Sequence, residues 1–340
     1  MLRTRLDLVC AHRSSSVRVS IERCDVCAMS SQYLDLACSG RNEWWRYLAG
    51  ILLIAGLWIA AGIGLYGFLA LLTETAHQSS YPAVRETLSA AARDRFTEYI
   101  VLNLGHVALL VALAIAVRLI HNRRFLSLIT PQHKLNWKRI GWGFAVYFAL
   151  SGVMTVTDYA LDPSGYSMTP NPGRVLIHAP LVLVLTPIQT TTEELLFRGY
   201  LLQAIGLIST RFWLPAVTTS LLFLVLHLAN PEVQHGIAAA SLYYFGIAFL
   251  FAAITMKSNS LELAIGAHAA INLFAALVVN YSDSVLDVES VFFSNEVNLG
   301  ANLVALALMA LVSYLLFFRY GIGASHEAPA CKEGERSLGI

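Results

Sequence analysis

Apolar residues fall into about eight long runs separated by short polar stretches. The runs cover residues 47–72, 99–120, 140–157, 174–206, 212–229, 237–256, 259–281 and 299–318. An α-helix rises 1.5 Å per residue, so runs of this length suit the ~30 Å hydrocarbon core of a bilayer. The pattern predicts an all-α fold, a polytopic transmembrane bundle of about eight helices, with its integral membrane domain over residues 41–320.

Composition supports a membrane protein and argues against one class of partner. Hydrophobic residues make up 56% of the chain and charged residues only 13%, and the mean hydropathy is +0.60. The formal net charge of +1 provides no basic field, so nucleic acid is not an expected partner. Residues 1–40 lack a long apolar run and are expected to form a disordered cytoplasmic arm, and 321–340 a cytoplasmic tail.

The cysteines predict a reduced, cytoplasmic setting. All five lie outside the apolar runs, and their odd number argues against a full disulfide framework; they are Cys10, Cys24, Cys27, Cys38 and Cys331. The C-x-x-C of Cys24 and Cys27 has no second ligand pair at zinc spacing, so we do not predict a metal site there.

The distribution of Lys and Arg predicts the orientation in the membrane. Basic residues precede the first run and surround the connection between the second and third; they include Arg41, Arg46, Arg118, Arg123, Arg124, Lys134, Lys138 and Arg139. The loop over 282–298 carries four acids and no base. Because cytoplasmic loops are enriched in Lys and Arg, both termini are expected in the cytoplasm. Arg85, Arg93 and Arg95 in the first external loop oppose this assignment, although three acids accompany them.

The run over 174–206 is too long for one straight span and contains Pro180 and Pro187. A proline removes a helical hydrogen bond, so we expect a bend near Pro187. Thr190 and Glu193 have the spacing of a capping box, which predicts a helix that restarts there and carries carboxylates in its first turn. A kinked continuous helix would produce the same pattern.

After Arg174 at its start, this apolar run contains three charged residues: Glu193, Glu194 and Arg198. A charge within a membrane span costs at least about 2.5 kcal/mol, so such groups persist where they are paired, face a cavity or do chemistry. Glu194 and Arg198 are four residues apart on one helical face, in the favourable orientation for an ion pair. Glu193 points about 100° away from that face.

Two later runs contain Phe223-x-x-x-His227 and His268-x-x-x-Asn272. If these side chains meet the acidic motif in the bundle, carboxylates could activate water, imidazoles could shuttle protons and an amide could stabilise an oxyanion. Taken singly, each residue has a structural interpretation as an interhelical hydrogen-bonding group. We assign that structural role to His106 and His178.

Together the three motifs resemble those of the CAAX-protease and bacteriocin-processing family of intramembrane proteases, often called the Abi family. The resemblance covers about residues 174–281, taken as the protease core. It implies a helical membrane endopeptidase, expected in a bacterial plasma membrane, that acts on a peptide or protein substrate among membrane lipids. It also implies that Glu193 and His227 activate water, Glu194 and Arg198 order the site, and His268 and Asn272 hold the oxyanion.

The resemblance leaves open whether such enzymes bind a metal. Glu193, His227 and His268 could ligate a divalent ion such as zinc; otherwise no cofactor is expected. H-E-x-x-H, G-x-S-x-G and presenilin-type motifs are absent from the sequence. The alternative is a transporter or a non-catalytic membrane partner that uses the same groups for protons or cations. His227 and Glu193 could differ in depth by about 10 Å, and the sequence does not select the face on which the site opens.

Overall fold

The computed structural model describes residues 32–78, 81–92, 94–281, 284–286, 288–295 and 297–323. Its helices are α1 (Gln32–Asp35), α2 (Trp44–Gln78), α3 (Pro82–Ala92), α4 (Arg95–Ile115), α5 (Trp137–Leu161), α6 (Pro172–Glu194), α7 (Leu202–Gly206), α8 (Trp213–His227), α9 (Ile237–Ser258), α10 (Glu262–Leu277) and α11 (Leu299–Ser313). Turns of π-helix follow α4, α6 and α11 over Ala116–Ile120, Leu195–Leu201 and Tyr314–Arg319. Short 3₁₀ turns cover Leu36–Ser39, Phe125–Leu128, Pro163–Gly165 and Pro231–His235.

The predicted all-α bundle is confirmed. Among the described residues, six helical segments are long and apolar enough to cross a membrane: Trp44–Gln78, Arg95–Ile120, Trp137–Leu161, Pro172–Gly206, Ile237–Ser258 and Leu299–Arg319. The helices α8 and α10 are apolar but shorter, with 15 and 16 residues. The eight predicted apolar runs therefore correspond to eight helices, two of which are too short to cross a bilayer alone.

Helices α5 and α10 form the closest packing in the centre of the bundle. A Cβ atom on Gly266 would lie 2.0 Å from the carbonyl oxygen of Ile140, and one on Gly143 would lie 2.2 Å from that of Leu263. Only hydrogen fits between these backbones, as is common where membrane helices approach closely. The contact fixes α10, which carries two of the predicted site residues, against a helix that spans the membrane.

A small sheet covers one end of the bundle. Strand β1 (Tyr166–Met168) pairs antiparallel with β3 (Phe292–Ser294), which pairs in parallel with β2 (Val279–Tyr281). The spatial order is therefore β1-β3-β2. These strands join the connections that follow α5 and α10, so both loops are held together at this end.

The N-terminal prediction needs correction where the chain is described. Residues 32–39 form α1 and a 3₁₀ turn, and Tyr33 and Leu34 are fully buried. The Tyr33 hydroxyl donates to the carbonyl of Leu128 at 2.5 Å, so burial and hydrogen bonding order this short polar segment. Cys38 is disulfide-bonded, contrary to the expected reduced state. The other four cysteines, the rest of the predicted arm and residues 324–340 lie outside the described residues.

The predicted helix restart is also wrong. Helix α6 continues through both prolines to Glu194. The Thr190 hydroxyl donates to the carbonyls of Thr186 and Pro187, at 3.1 and 3.3 Å, and so does not cap a new helix. The carboxylates therefore lie in the last turn of α6, directly before the π-helical turn at Leu195–Leu201. The pattern arose because a continuous helix and a restarted one place Thr190 and Glu193 at the same spacing.

Candidate active site

The Glu193 carboxylate lies at the centre of a cluster drawn from four helices. It is 8% exposed. Its Oε1 atom lies 3.4 Å from Nε2 of His106 on α4 and accepts a 3.5 Å hydrogen bond from the Gln189 amide. Its Oε2 atom lies 3.9 Å from Nε2 of His227 and 3.9 Å from Nε2 of His268. One oxygen is thus held from behind, and the other faces the two predicted histidines.

The continuation of the helical segment past Glu193 to Gly206 resolves the expected difference in depth. His227 is the last residue of α8, so it lies about 21 Å along that helix from Trp213. Glu193 lies about 20 Å before Gly206, the last residue of its helical segment. Since α8 begins where this segment has just ended, the two side chains reach the same depth.

The hydrogen bonds of the two histidines fix which ring nitrogen faces Glu193. Nδ1 of His227 lies 2.7 Å from the Phe223 carbonyl, and Nδ1 of His268 lies 2.8 Å from Oε1 of Glu194. Each of these oxygens can only accept, so each Nδ1 carries a hydrogen. In the neutral rings, both Nε2 atoms therefore direct lone pairs toward Oε2 of Glu193. Three acceptors face one gap, which requires hydrogen-bond donors or a cation within it.

Glu194 and Arg198 support this arrangement from beneath. Their side chains are 0% and 1% exposed, and Nη1 of Arg198 lies 2.8 Å from Oε1 of Glu194. The same oxygen holds His268, so one carboxylate links the guanidinium to the imidazole. The guanidinium carbon lies 4.6 Å from the Phe223 ring centroid and 5.6 Å from that of Phe251. The predicted four-residue ion pair is therefore present and enclosed by aromatic rings.

A cavity of about 330 Å³ opens beside the cluster. Glu193, His227, His268 and Asn272 all line it, so four of the six predicted residues share one wall. Asn272 is partly exposed and, within the described part of the chain, its side chain forms no hydrogen bond, which leaves its amide free to bind a ligand. Glu194 and Arg198 do not line the cavity; they lie behind it.

Glu193, His227 and His268 are of the residue types that bind a divalent metal, but their donor atoms are too far apart to hold one. A carboxylate oxygen and two imidazole nitrogens are ordinary zinc ligands, and bonds of about 2.1 Å would bring tetrahedral donors to about 3.4 Å from one another. The two measured separations are 3.9 Å, and no three acidic, His or Cys side chains in the described ranges are already placed to hold a metal ion. A movement of about half an ångström would be needed.

Two residues of this cluster were missed by sequence reasoning. His106, interpreted as structural, contacts Glu193, and its Nδ1 is 3.0 Å from the Leu102 carbonyl. Gln189 lies one turn before Glu193 and also lines the cavity. The available signal was an ionisable side chain within an apolar span, which favours a functional role by default. His178, in contrast, stacks on Phe96 at 3.7 Å and borders a different cavity.

Comparisons with known proteins identify the family of this chain. The model of the Rce1-like family, the type II CAAX prenyl endopeptidases, matches residues 174–274. The chain is 36% identical over 251 residues to the uncharacterized protein YyaK of Bacillus subtilis (strain 168), covering 72% of this chain and 81% of that relative. No solved structure matches. The chain is therefore an integral, multi-pass membrane protein that belongs to the Rce1-like CAAX protease family, the group that its three motifs resemble.

Proposed function

We propose that this protein is an intramembrane endopeptidase that hydrolyses a peptide bond with a water activated by Glu193 and His227. The observation that carries the proposal is the gap between Oε2 of Glu193 and the Nε2 atoms of His227 and His268, each 3.9 Å from that oxygen. A separation of 3.9 Å is too long for a direct hydrogen bond. It leaves room for a reacting oxygen that these side chains contact together.

Proton positions can be assigned within this proposal. If His268 is protonated, its Nε2 becomes a donor, and Glu194 stabilises the imidazolium through Nδ1. The remaining two acceptors, on Glu193 and His227, then match the two hydrogens of one water. The protonated Nε2 of His268 faces the position at which a substrate carbonyl oxygen would develop negative charge.

The chemical step follows from these positions. The water oxygen bonds to the carbonyl carbon as Glu193 takes one of its protons, and the carbonyl electron pair moves onto the oxygen. His268 and the free amide of Asn272 donate to that oxyanion. The C–N bond then breaks as Glu193 returns its proton to the leaving nitrogen, so one water is consumed. The Gln189 amide donates to the opposite oxygen of Glu193, and the His106 ring lies 3.4 Å from that oxygen, so both limit movement of the carboxylate throughout.

A bound divalent metal is a variant of the same proposal. Glu193, His227 and His268 would hold it, and it would supply a Lewis acid that lowers the pKa of a bound water. The roles of Glu194 and Arg198 behind the cavity would be unchanged, since they orient His268 in either case.

The decisive experiment replaces Glu193 with glutamine, which preserves shape and removes the base. The purified parent and the Glu193→Gln variant are incubated with a peptide panel, and bound zinc is measured before and after chelation. The variant should fold normally and cleave several orders of magnitude more slowly, because water activation and proton transfer fail together. Glu98→Gln, a matched change outside this cavity, should cleave at the parental rate.

Full cleavage by Glu193→Gln would remove Glu193 as the base, and failure of the parent to cleave any peptide of the panel would favour the transporter alternative. Cleavage that persists in a metal-free preparation supports direct activation of water. Loss on chelation with recovery on adding zinc supports the metal variant.

A further inference from the structure

The ring of His227 is covered by its own helix on one side only, because His227 is the last residue of α8. Helical side chains point back over the preceding turn, which brings the ring onto Phe223. The two ring centroids lie 3.9 Å apart, with 20° between their planes, and Nδ1 of His227 is 2.7 Å from the Phe223 carbonyl. No turn of α8 follows His227, so any further restraint on the ring has to come from another element.

Tyr244 on α9 provides that restraint. Its ring centroid lies 4.9 Å from that of His227, with 39° between the planes, and it lines the cavity beside Glu193. Rotation of an imidazole about its Cβ–Cγ bond is broad, so neighbouring groups decide where its nitrogens point. With the Nδ1 hydrogen bond at one edge and the Tyr244 ring beside it, His227 keeps Nε2 on the side of Glu193.

The Tyr244 hydroxyl is itself fixed by two residues of the connection between α8 and α9. It accepts a 3.0 Å hydrogen bond from the Asn230 amide and donates to Oε2 of Glu232 at 3.4 Å. Asn230 and Glu232 follow His227 by only three and five residues. The segment that leaves α8 therefore holds the ring that restrains the histidine at the end of α8.

Glu232 links this arrangement to the sheet. Its Oε1 atom accepts a 2.8 Å hydrogen bond from the Tyr281 hydroxyl on β2 and a 2.9 Å hydrogen bond from the Val285 amide. The residue is only 6% exposed. Burying a carboxylate is costly unless donors replace the lost water, and two of its donors belong to a different part of the chain. Glu232 is therefore a fixed point against which the Tyr244 hydroxyl is held.

We infer that Tyr244 is a positioning residue that keeps Nε2 of His227 directed at Oε2 of Glu193. The inference rests on the proposed endopeptidase function and adds a residue that acts on the reaction through His227. Tyr244 exchanges no proton with the reacting atoms in this role. Two other roles fit the same position: direct contact with the substrate, because Tyr244 lines the cavity, and simple support of the fold.

The kinetic test compares two variants. Tyr244→Phe keeps the ring and removes the hydroxyl, whereas Tyr244→Leu removes the ring. With a peptide that the purified parent cleaves, kcat per folded molecule should fall severalfold in Tyr244→Phe and by about 10²-fold in Tyr244→Leu, since a displacement of about 1 Å within a site can cost that much. KM should not rise in either variant. Tyr320→Leu, which removes an exposed tyrosine outside the cavity, should cleave at the parental rate.

The kinetic outcomes separate the three roles. A raised KM with parental kcat would make Tyr244 a substrate contact, and parental values of both per folded molecule would leave it a residue that only supports the fold. Either result would overturn the inference.

Ring order is measured independently of cleavage. Protein labelled with ¹³C at Cε1 of histidine is purified in detergent, and the NMR signal that is missing from His227→Gln identifies His227. This signal should be single in the parent and split or broadened in Tyr244→Leu, because the ring then takes more than one orientation. A single signal of parental width in Tyr244→Leu would contradict the inference, even if the parent is an active protease. Failure of the parent to cleave any peptide would count against the proposed function and leave the NMR result intact.

Discussion

Replacing Arg198 by alanine should destabilise the folded protein, although the residue does not line the cavity. The guanidinium is 1% exposed and pairs at 2.8 Å with Glu194, whose side chain is fully buried. Removing one partner of a buried ion pair typically costs about 3–5 kcal/mol, since the other charge is stranded. Loss of the cation–π contact with Phe223 adds up to about 2 kcal/mol at a desolvated site.

These magnitudes are large compared with an ordinary unfolding free energy of about 5–15 kcal/mol. At about 2–4 °C per kcal/mol, the midpoint of thermal unfolding should fall by on the order of 10 °C or more. The assay is size-exclusion chromatography of a fluorescent fusion after heating in detergent, which follows the loss of monodisperse protein. Arg118→Ala removes an exposed arginine and should leave the midpoint unchanged.

A double variant separates charge from packing. Glu194→Gln with Arg198→Met removes both charges and keeps comparable volumes, and replacing a whole buried pair is often neutral. The double variant should therefore be more stable than Arg198→Ala. It should still be inactive because His268 loses its carboxylate partner, whereas Arg198→Ala should lose activity along with folded protein. A midpoint for Arg198→Ala equal to that of the parent, or no recovery in the double variant, would refute this reasoning.

Two further predictions concern packing and pH. Gly266→Ala should abolish folded expression because its Cβ would lie 2.0 Å from the backbone oxygen of Ile140, whereas Gly62→Ala, with no atom within 4 Å, should express normally. Burial lowers the pKa of His121 to about 4. Stability should then be constant above about pH 6.5 and fall by up to about 3 kcal/mol as the pH drops toward 4, because the unfolded chain binds a proton that the folded chain excludes. Thermal midpoints across this pH range should lose that part of the slope in His121→Gln; an unchanged slope would show that other groups cause it.

Much of the fold could be predicted because membrane helices are encoded by local apolar length. The eight runs became eight helices, and the ion pair of Glu194 and Arg198 followed from helical spacing alone. The lengths of α8 and α10 were less predictable, since apolar composition continues past the helix ends. The meeting of His227 and Glu193 depended instead on how α6 and α8 pack side by side, which is tertiary structure.

The rest of the fold and of the site depended on contacts between residues far apart in sequence, which no local pattern predicts. His106 lies in an ordinary apolar run, and only the packing of α4 against α6 brings its ring to Glu193. Tyr33 is ordered by the carbonyl of Leu128, 95 residues away in sequence. Pro187 was misleading because the hydrogen bond that a proline removes is a local feature of the sequence. The packing that keeps α6 continuous involves other helices and is not local. The assignment of catalytic roles stays a prediction until cleavage is measured.

The shortness of α8 also has a consequence for the surrounding lipid. Several of its side chains are exposed on the outside of the bundle, including Leu221, Leu222, Val225 and Leu226, yet the helix spans only about 21 Å before the polar residues after His227 begin. A bilayer core of ~30 Å cannot match that height without cost. Acyl chains next to α8 must compress or tilt, so the leaflet thins beside the Glu193 cluster. Thicker membranes should raise that elastic cost, which couples the stability of this site to lipid chain length.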